Sequence, residues 1–387
     1  MLLRSLRVRN FRAHEDTRVT FAPRINLIGG SNGAGKTNLL EAIHYLCLSK
    51  SFLAAQDSYA LREGAPFFEL EGVFAGAQRP ELVVRLVYMP GEGKRVFFNG
   101  APLERLADLV GELPVVVLSP ADQALTGGPP EERRRFLDNL LSQAYPAYLQ
   151  DLLQYRRALR QRNELLARWR RHPASVQPSL LESWQEELVA LGSRLIHRRL
   201  RFVQEFAAYL AEAHACLGLT ADIPRIEYVT VAPLDPEAEP ETIAAAFRAR
   251  LHRLAARERE QGRTLAGPHR DELILRLNGL EVRRYASQGQ HRIMGLALKL
   301  AKFFYLRARR DETPLLLLDD VFDGLDRYRT QRILELLQHG EQIEQSFVTS
   351  ARLDLLQELQ TLAAPENRLF WIEAGRVREP DPSLSLS

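Results

Sequence analysis

Cysteine is almost missing from this chain: two residues, Cys47 and Cys216, in 387. One such pair supports neither a disulfide framework nor a zinc site of ordinary spacing. A reducing, cytoplasmic setting is therefore expected. Long apolar runs are missing too. Nothing approaches the roughly eighteen consecutive apolar residues of a membrane-spanning helix, and Met1–Val8 carries too much charge for a secretion signal. The net charge is only +3, so overall basicity does not announce nucleic acid, and local clusters have to be weighed one by one. No internal repeat is visible, which excludes a solenoid. What remains is ordinary for a globular chain, 45% hydrophobic and 26% charged, and long enough for two or three domains.

Against that plain background one stretch stands out. Gly30-Ser31-Asn32-Gly33-Ala34-Gly35-Lys36-Thr37 follows an apolar strand pattern, Ile25–Ile28, and precedes a helical one from Asn38 to Leu48. Strand, glycine loop and helix form the context in which backbone N–H groups and a helix N-terminus hold phosphate. Lys36 is expected on the β- and γ-phosphates and Thr37 on Mg²⁺, with the loop and Asn38 binding the nucleotide. The motif predicts a nucleoside triphosphate site.

Leu2–Val8 and Arg18–Phe21 read as strands before the loop. Phe68–Phe74, Leu82–Tyr88 and Arg95–Phe98 read as an antiparallel meander, and Pro114–Leu118 as a buried strand. From Pro130 to about Leu217 the pattern is helical, broken at Pro146 and between Pro173 and Pro178. Ile243–Gln261 reads as a further helix. Strands are expected at Glu272–Leu277 and, after an Asn278-Gly279 turn, at Glu281–Tyr285. Gly289–Arg309, Asp326–Gln338 and Arg352–Leu362 read as helices, Pro314–Asp320 and Gln345–Thr349 as strands, and Arg368–Arg378 as a terminal hairpin. The class is α/β. A head assembled from 1–119 and 264–378 is split by an inserted, mostly helical lobe at 120–263, and 379–387 is a tail expected to be disordered.

Two further elements bear on nucleotide chemistry. Leu315–Leu318 ends in Asp319-Asp320, carboxylates at the C-terminal end of a buried strand, where α/β sheets place ligands. Asp319 is expected in the Mg²⁺ shell. Asp320 is expected to orient or deprotonate the attacking water, and as the shorter carboxylate it suggests slow hydrolysis. Ser287-Gln288-Gly289-Gln290 opens the 289–309 helix and is a second anion cradle, with Ser287, Gly289 and Gln290 as its contacts.

With these three elements in this order, split by a long helical stretch, the chain resembles an SMC-type ABC ATPase, and within that group the RecF family. The resemblance rests on Val8-Arg9-Asn10-Phe11-Arg12, Asn38–Ile43, Leu118-Ser119-Pro120, Gly128–Asp138, Gln161-Arg162-Asn163, Ala266–Asp271 and Ser287–Gln290. It implies ATP and Mg²⁺ as cofactors and an ATP-dependent homodimer in which each glycine loop faces the other copy's Ser287 turn. It also implies DNA binding in recombinational repair, weak DNA-dependent ATPase activity, recombinase loading at single-strand gaps, and RecR as a partner.

The chain departs from the family in places. Asp323-Gly324-Leu325-Asp326 stands for the usual Ser-Glu-Leu-Asp, Leu53 replaces a frequent arginine, and Thr349 occupies a position where many ABC ATPases carry histidine. The resemblance does not select DNA contacts among Arg156, Arg157, Arg160, Arg162, Arg168, Arg170, Arg171, Arg198, Arg199 and Arg201. A transporter ATPase subunit is the competing reading, and the interval from Thr37 to Ser287, about 250 residues, is far longer than such a subunit needs. A kinase or GTPase would leave the Ser287 turn a coincidence.

Overall fold

The computed structural model describes residues 1–77, 79–219, 222–340, 342–352 and 366–378. The N-terminal stretch runs β1 (Leu2–Phe11), β2 (His14–Thr20), β3 (Ile25–Gly29), α1 (Lys36–Leu48), β4 (Phe68–Ala75), β5 (Leu82–Met89), β6 (Gly93–Phe98), β7 (Ala101–Pro102) and β8 (Val115–Leu118). The middle stretch contains α2 (Gln123–Gly127), α3 (Pro130–Ala144), α4 (Pro146–Arg171), α5 (Pro178–Cys216), β9 (Pro224–Val229), α6 (Pro240–Gln261), β10 (Glu272–Leu277), β11 (Leu280–Glu281) and α7 (Val282–Tyr285). Then follow α8 (Gln288–Arg309), β12 (Leu315–Asp319), α9 (Arg327–His339), β13 (Ser346–Ser350), β14 (Arg368–Glu373) and β15 (Arg376–Arg378). The chain forms two compact units, one of Met1–Asp122, Ala213–Leu219 and Leu296–Ser387, the other of Gln123–Glu212 and Thr220–Gly295.

The first unit holds two six-stranded sheets, β2-β1-β4-β5-β6-β7 and β15-β14-β3-β13-β12-β8. The first sheet is antiparallel; in the second, β14, β3, β13, β12 and β8 run parallel. Apolar runs such as Leu315–Leu318 and Val115–Leu118 follow from that layout, because a parallel strand is covered on both faces. Helix α1 touches strands of both sheets, and eleven of its thirteen residues are buried. Its apolar residues on every side fit a helix enclosed by protein. Phe11, Tyr45 and Phe68 meet edge to face in the surrounding core.

The second unit is helical around a small sheet, β11-β10-β9. Its interior carries charge. Arg199, 1% exposed, donates to Asp138 at 2.8 Å, to the Pro268 carbonyl at 2.8 Å and to the Tyr148 hydroxyl at 3.0 Å, and pairs with Asp271 at 3.4 Å. Tyr228 bonds the same Asp271. Arg162 is equally buried, on Glu258 at 2.6 Å and Thr264 at 2.8 Å. His269 sits with Nδ1 2.7 Å from the Tyr155 hydroxyl, and burial pushes its pKa down to about 4. The Gly-Pro-His-Arg-Asp turn, for which the sequence offers no chemistry, therefore closes a buried polar core.

Several expectations change. Glu281–Tyr285 is not a returning strand: β11 pairs for two residues and the chain then turns into α7. Strand β9, in a part of the mostly helical lobe for which the sequence predicts no element, pairs with all of β10. Residues 264–295, including the Ser287 turn, fall in the second compact unit. The Arg352–Leu362 helix lies, beyond Arg352, outside the described residues, as does the 379–387 tail.

Candidate nucleotide site

β3 enters the glycine loop from the middle of the parallel sheet. Three of its glycines have positive φ, Gly30 at 147°, Gly33 at 80° and Gly35 at 111°. At Gly30 a Cβ would lie 2.4 Å from the Ile372 carbonyl oxygen, so only glycine fits against β14. No side chain caps α1 at its N-terminus, which leaves its first-turn N–H groups to an anion. By contrast, α9 is capped by Asp326, whose carboxylate accepts the Arg329 N–H at 2.9 Å.

The loop is held from outside. Gly375, in the β14–β15 turn, donates its N–H to the Ala34 carbonyl at 2.9 Å. His14, fully buried, places Nε2 3.2 Å from the Gly35 carbonyl and Nδ1 2.9 Å from the Gly375 carbonyl. Burial lowers its pKa. Lys36 is buried and donates to the carbonyls of Gly30 and Ser31 at 3.0 and 3.1 Å. Ser31, Asn32 and Gly33 are exposed.

The carboxylates arrive from β12. Thr37 Oγ1 donates to Asp319 Oδ1 at 2.8 Å, joining the two ends of the site across 282 residues of sequence. Burial raises the pKa of Asp319 and of Asp320. Asp320 adopts φ 45°, uncommon outside glycine and worth roughly 1–3 kcal/mol of strain. Its Oδ1 is buried without a hydrogen-bond partner. A strained acidic residue with an open buried oxygen has the chemistry of a group aimed at a water or a ligand. Two hard oxygens, Thr37 Oγ1 and Asp319 Oδ1, fit Mg²⁺, which takes one or two protein oxygens and completes its shell with phosphate and water.

The Ser287 turn belongs to the second unit. Ser287 Oγ accepts the Gln290 N–H at 3.3 Å, and Gln290 Oε1 accepts the Ser287 N–H at 2.9 Å, a reciprocal cap for α8. All four residues from Ser287 to Gln290 are exposed. Among the described residues a Cβ on Gly289 would meet only Ser287 Oγ, at 4.0 Å, so none of them demands glycine there.

Comparison with known proteins agrees with this geometry. The family described as RecF/RecN/SMC N terminal domain matches residues 2–366. A DNA replication and repair protein RecF from Salinibacter ruber is 54% identical over 388 residues, covering 100% of this chain and 94% of its own. The chain belongs to the RecF family. RecF of Chloroherpeton thalassium is 46% identical over 353 residues, covering 90% of this chain and 95% of the relative. A solved structure of the recombination mediator protein RecF with ATP, in the RecFOR pathway, superposes with a TM-score of 0.87 at 29% identity, covering 98% of this chain and 99% of that one. An Smc head domain from Pyrococcus furiosus, at 16% identity and a TM-score of 0.56 over 97% of this chain and 95% of that one, shares the fold.

Read as a RecF-family chain, several residues change meaning. Arg12 pairs through Nε and Nη2 with buried Glu41 at 2.9 and 2.8 Å. Arg162 and Arg199 are buried and are thereby removed from any DNA surface. Arg156 is committed to Asp138 and Arg170 to the Gln261 carbonyl. Arg157, Arg160 and Arg168 are exposed on α4 and form no ion pair among the described residues. Leu53, at the position of the frequent RecF-family arginine, is 48% exposed. Two residues make contacts at the site that the sequence does not indicate. One is His14; the other is Thr349, whose hydroxyl donates to Asp319 Oδ1 at 2.9 Å and accepts the Asp320 N–H at 2.9 Å.

Proposed function

We propose that this chain is an ATP-binding protein of DNA repair and replication that works as an ATP-controlled dimeric clamp on DNA. The observation that carries this reading is the joining of the glycine loop to the carboxylate strand through Thr37 and Asp319, beside the open carboxylate of Asp320. Gly30 to Asn38 would wrap the phosphates, with Lys36 leaving its loop carbonyls for the β- and γ-oxygens. Mg²⁺ held by Thr37 and Asp319 would neutralise charge on those oxygens. Asp320 would orient the attacking water and accept its proton, slowly, with DNA accelerating a weak turnover.

The exposed turn of Ser287, Gly289 and Gln290 would complete the site of a second copy, and the open space at Gly289 suits an incoming γ-phosphate. ATP then favours the closed dimer by differential affinity, and hydrolysis releases it. Membership of the RecF family supports DNA as the clamped partner, recombinase loading at single-strand gaps as the task, RecR as the protein partner and the cytoplasm as the place. Sedimentation with and without ATP tests the reading: wild type should dimerise with ATP and Ser287→Arg should stay monomeric. Equal behaviour of the two chains removes the shared site, and failure to retain DNA in either nucleotide state, with Lys36→Arg as control, removes the clamp.

A further inference from the structure

Strand β13 lies between the strand that feeds the glycine loop and the strand that ends in the two carboxylates. Thr349 is in register with Ile28 of β3 on one side and with Asp319 of β12 on the other. Its side chain is fully buried. A threonine hydroxyl has one proton and two lone pairs. Here the proton goes to Asp319 Oδ1 at 2.9 Å, which leaves a lone pair for the backbone N–H of Asp320, also at 2.9 Å. A single hydroxyl thus fixes Asp319 through its side chain and Asp320 through its backbone. The second restraint matters because Asp320 sits at φ 45° and its Oδ1 has no partner of its own. Where that carboxylate aims is then set by its main chain.

We infer that Thr349 is a positioning residue that locks Asp319 and Asp320 into one arrangement, coupling the oxygen that faces the metal to the oxygen that faces the water. The inference rests on the roles assigned to those carboxylates under the proposed function. Thr37 shares Asp319 Oδ1 with Thr349, at 2.8 Å. Were Thr37 to turn toward a cation, Thr349 would remain as the donor that keeps Asp319 from rotating. Groups of this kind, which orient metal ligands from behind, typically cost about 10–100-fold in metal affinity or activity when removed.

The test is Thr349→Val, which keeps the shape and removes the hydroxyl, beside Thr349→Ser, which keeps the hydroxyl. Two readouts are taken on the full chain, ATP turnover and the Mg²⁺ dependence of binding of a fluorescent ATP analogue. For Thr349→Val, turnover should fall about 10–100-fold and the Mg²⁺ needed for half-maximal binding should rise about 10-fold. Binding in EDTA should stay at the wild-type level, and Thr349→Ser should recover both losses. A merely structural threonine would not separate EDTA binding from Mg²⁺-dependent binding. Wild-type turnover and Mg²⁺ dependence in Thr349→Val, or a serine variant as impaired as the valine one, overturns the inference. Asp320→Asn distinguishes the two levels of argument. If it turns over ATP like wild type, the assigned carboxylate roles fail; if it is inactive while Thr349→Val is active, only the positioning role fails. Should the valine variant not fold, Thr349→Ala is read by the same two measurements.

Discussion

Two buried charged clusters, one in each unit, are handled in opposite ways. In the helical unit, Arg199 spends its guanidinium on Asp138, Asp271, Tyr148 and the Pro268 carbonyl, all within the protein. In the nucleotide unit, Asp320 keeps a buried oxygen without a partner and Lys36 rests on two loop carbonyls. A closed network is stiff and specifies one packing; an open one is costly alone and becomes favourable when a ligand arrives. The difference separates polar groups that hold the fold from those that, under the proposed function, act on a nucleotide.

Arg199→Met should break the closed network and give the largest effect. It strands Asp271 without its counter-charge and leaves Asp138 with Arg156 alone, so unfolding in urea should show a loss of about 3–5 kcal/mol. Asp320→Asn, in the open network, should do the reverse. Turnover should drop about 100-fold or more for want of a proton acceptor, while the thermal midpoint holds or rises, because asparagine tolerates positive φ and sheds a buried charge. A midpoint that falls as far as that of Arg199→Met would erase the contrast.

Acid should sharpen the comparison more gently, through a buried imidazole taken from each unit. Burial lowers His44 and His269 from 6.5 to about 4. Below pH 6.5 the unfolded chain binds protons that the folded chain refuses. Their stabilising contribution is therefore complete above the unfolded value and is lost progressively as the pH falls toward the folded one. Each ring should cost roughly 2 kcal/mol by about pH 5. Urea midpoints at neutral and acid pH should register this, and His44→Gln and His269→Gln should each remove one share of the slope.

The glycine loop, the two aspartates and the Ser287 turn could be read from the chain because each is a local string in a matching context. Long helices were legible for the same reason, since proline breaks and apolar spacing act over a few residues. Pairing across the chain was not. Strand β9 is six residues among helices, and only its ladder with β10 reveals it. His14 joins the site through carbonyls of Gly35 and Gly375, and Thr349 through strand register with Asp319 and Ile28, contacts that no spacing encodes. Arg162 and Arg199 look like their solvent-facing neighbours until Glu258, Asp138 and Asp271 fold over them. Composition announces an arginine; the partner decides what it does.

The placement of β3 has one more consequence, in the time order of synthesis. The strand that delivers the glycine loop is among the first made, yet both of its neighbours, β13 and β14, come from near the other end of the chain. The Gly375 N–H that closes on Ala34 is made later still. A nascent chain on the ribosome therefore carries the loop, for as long as β13 and β14 are unmade, without the strands that shape it, and such long-range pairing forms slowly. The finished geometry of the loop thus reports that two distant stretches of the chain have met in one sheet.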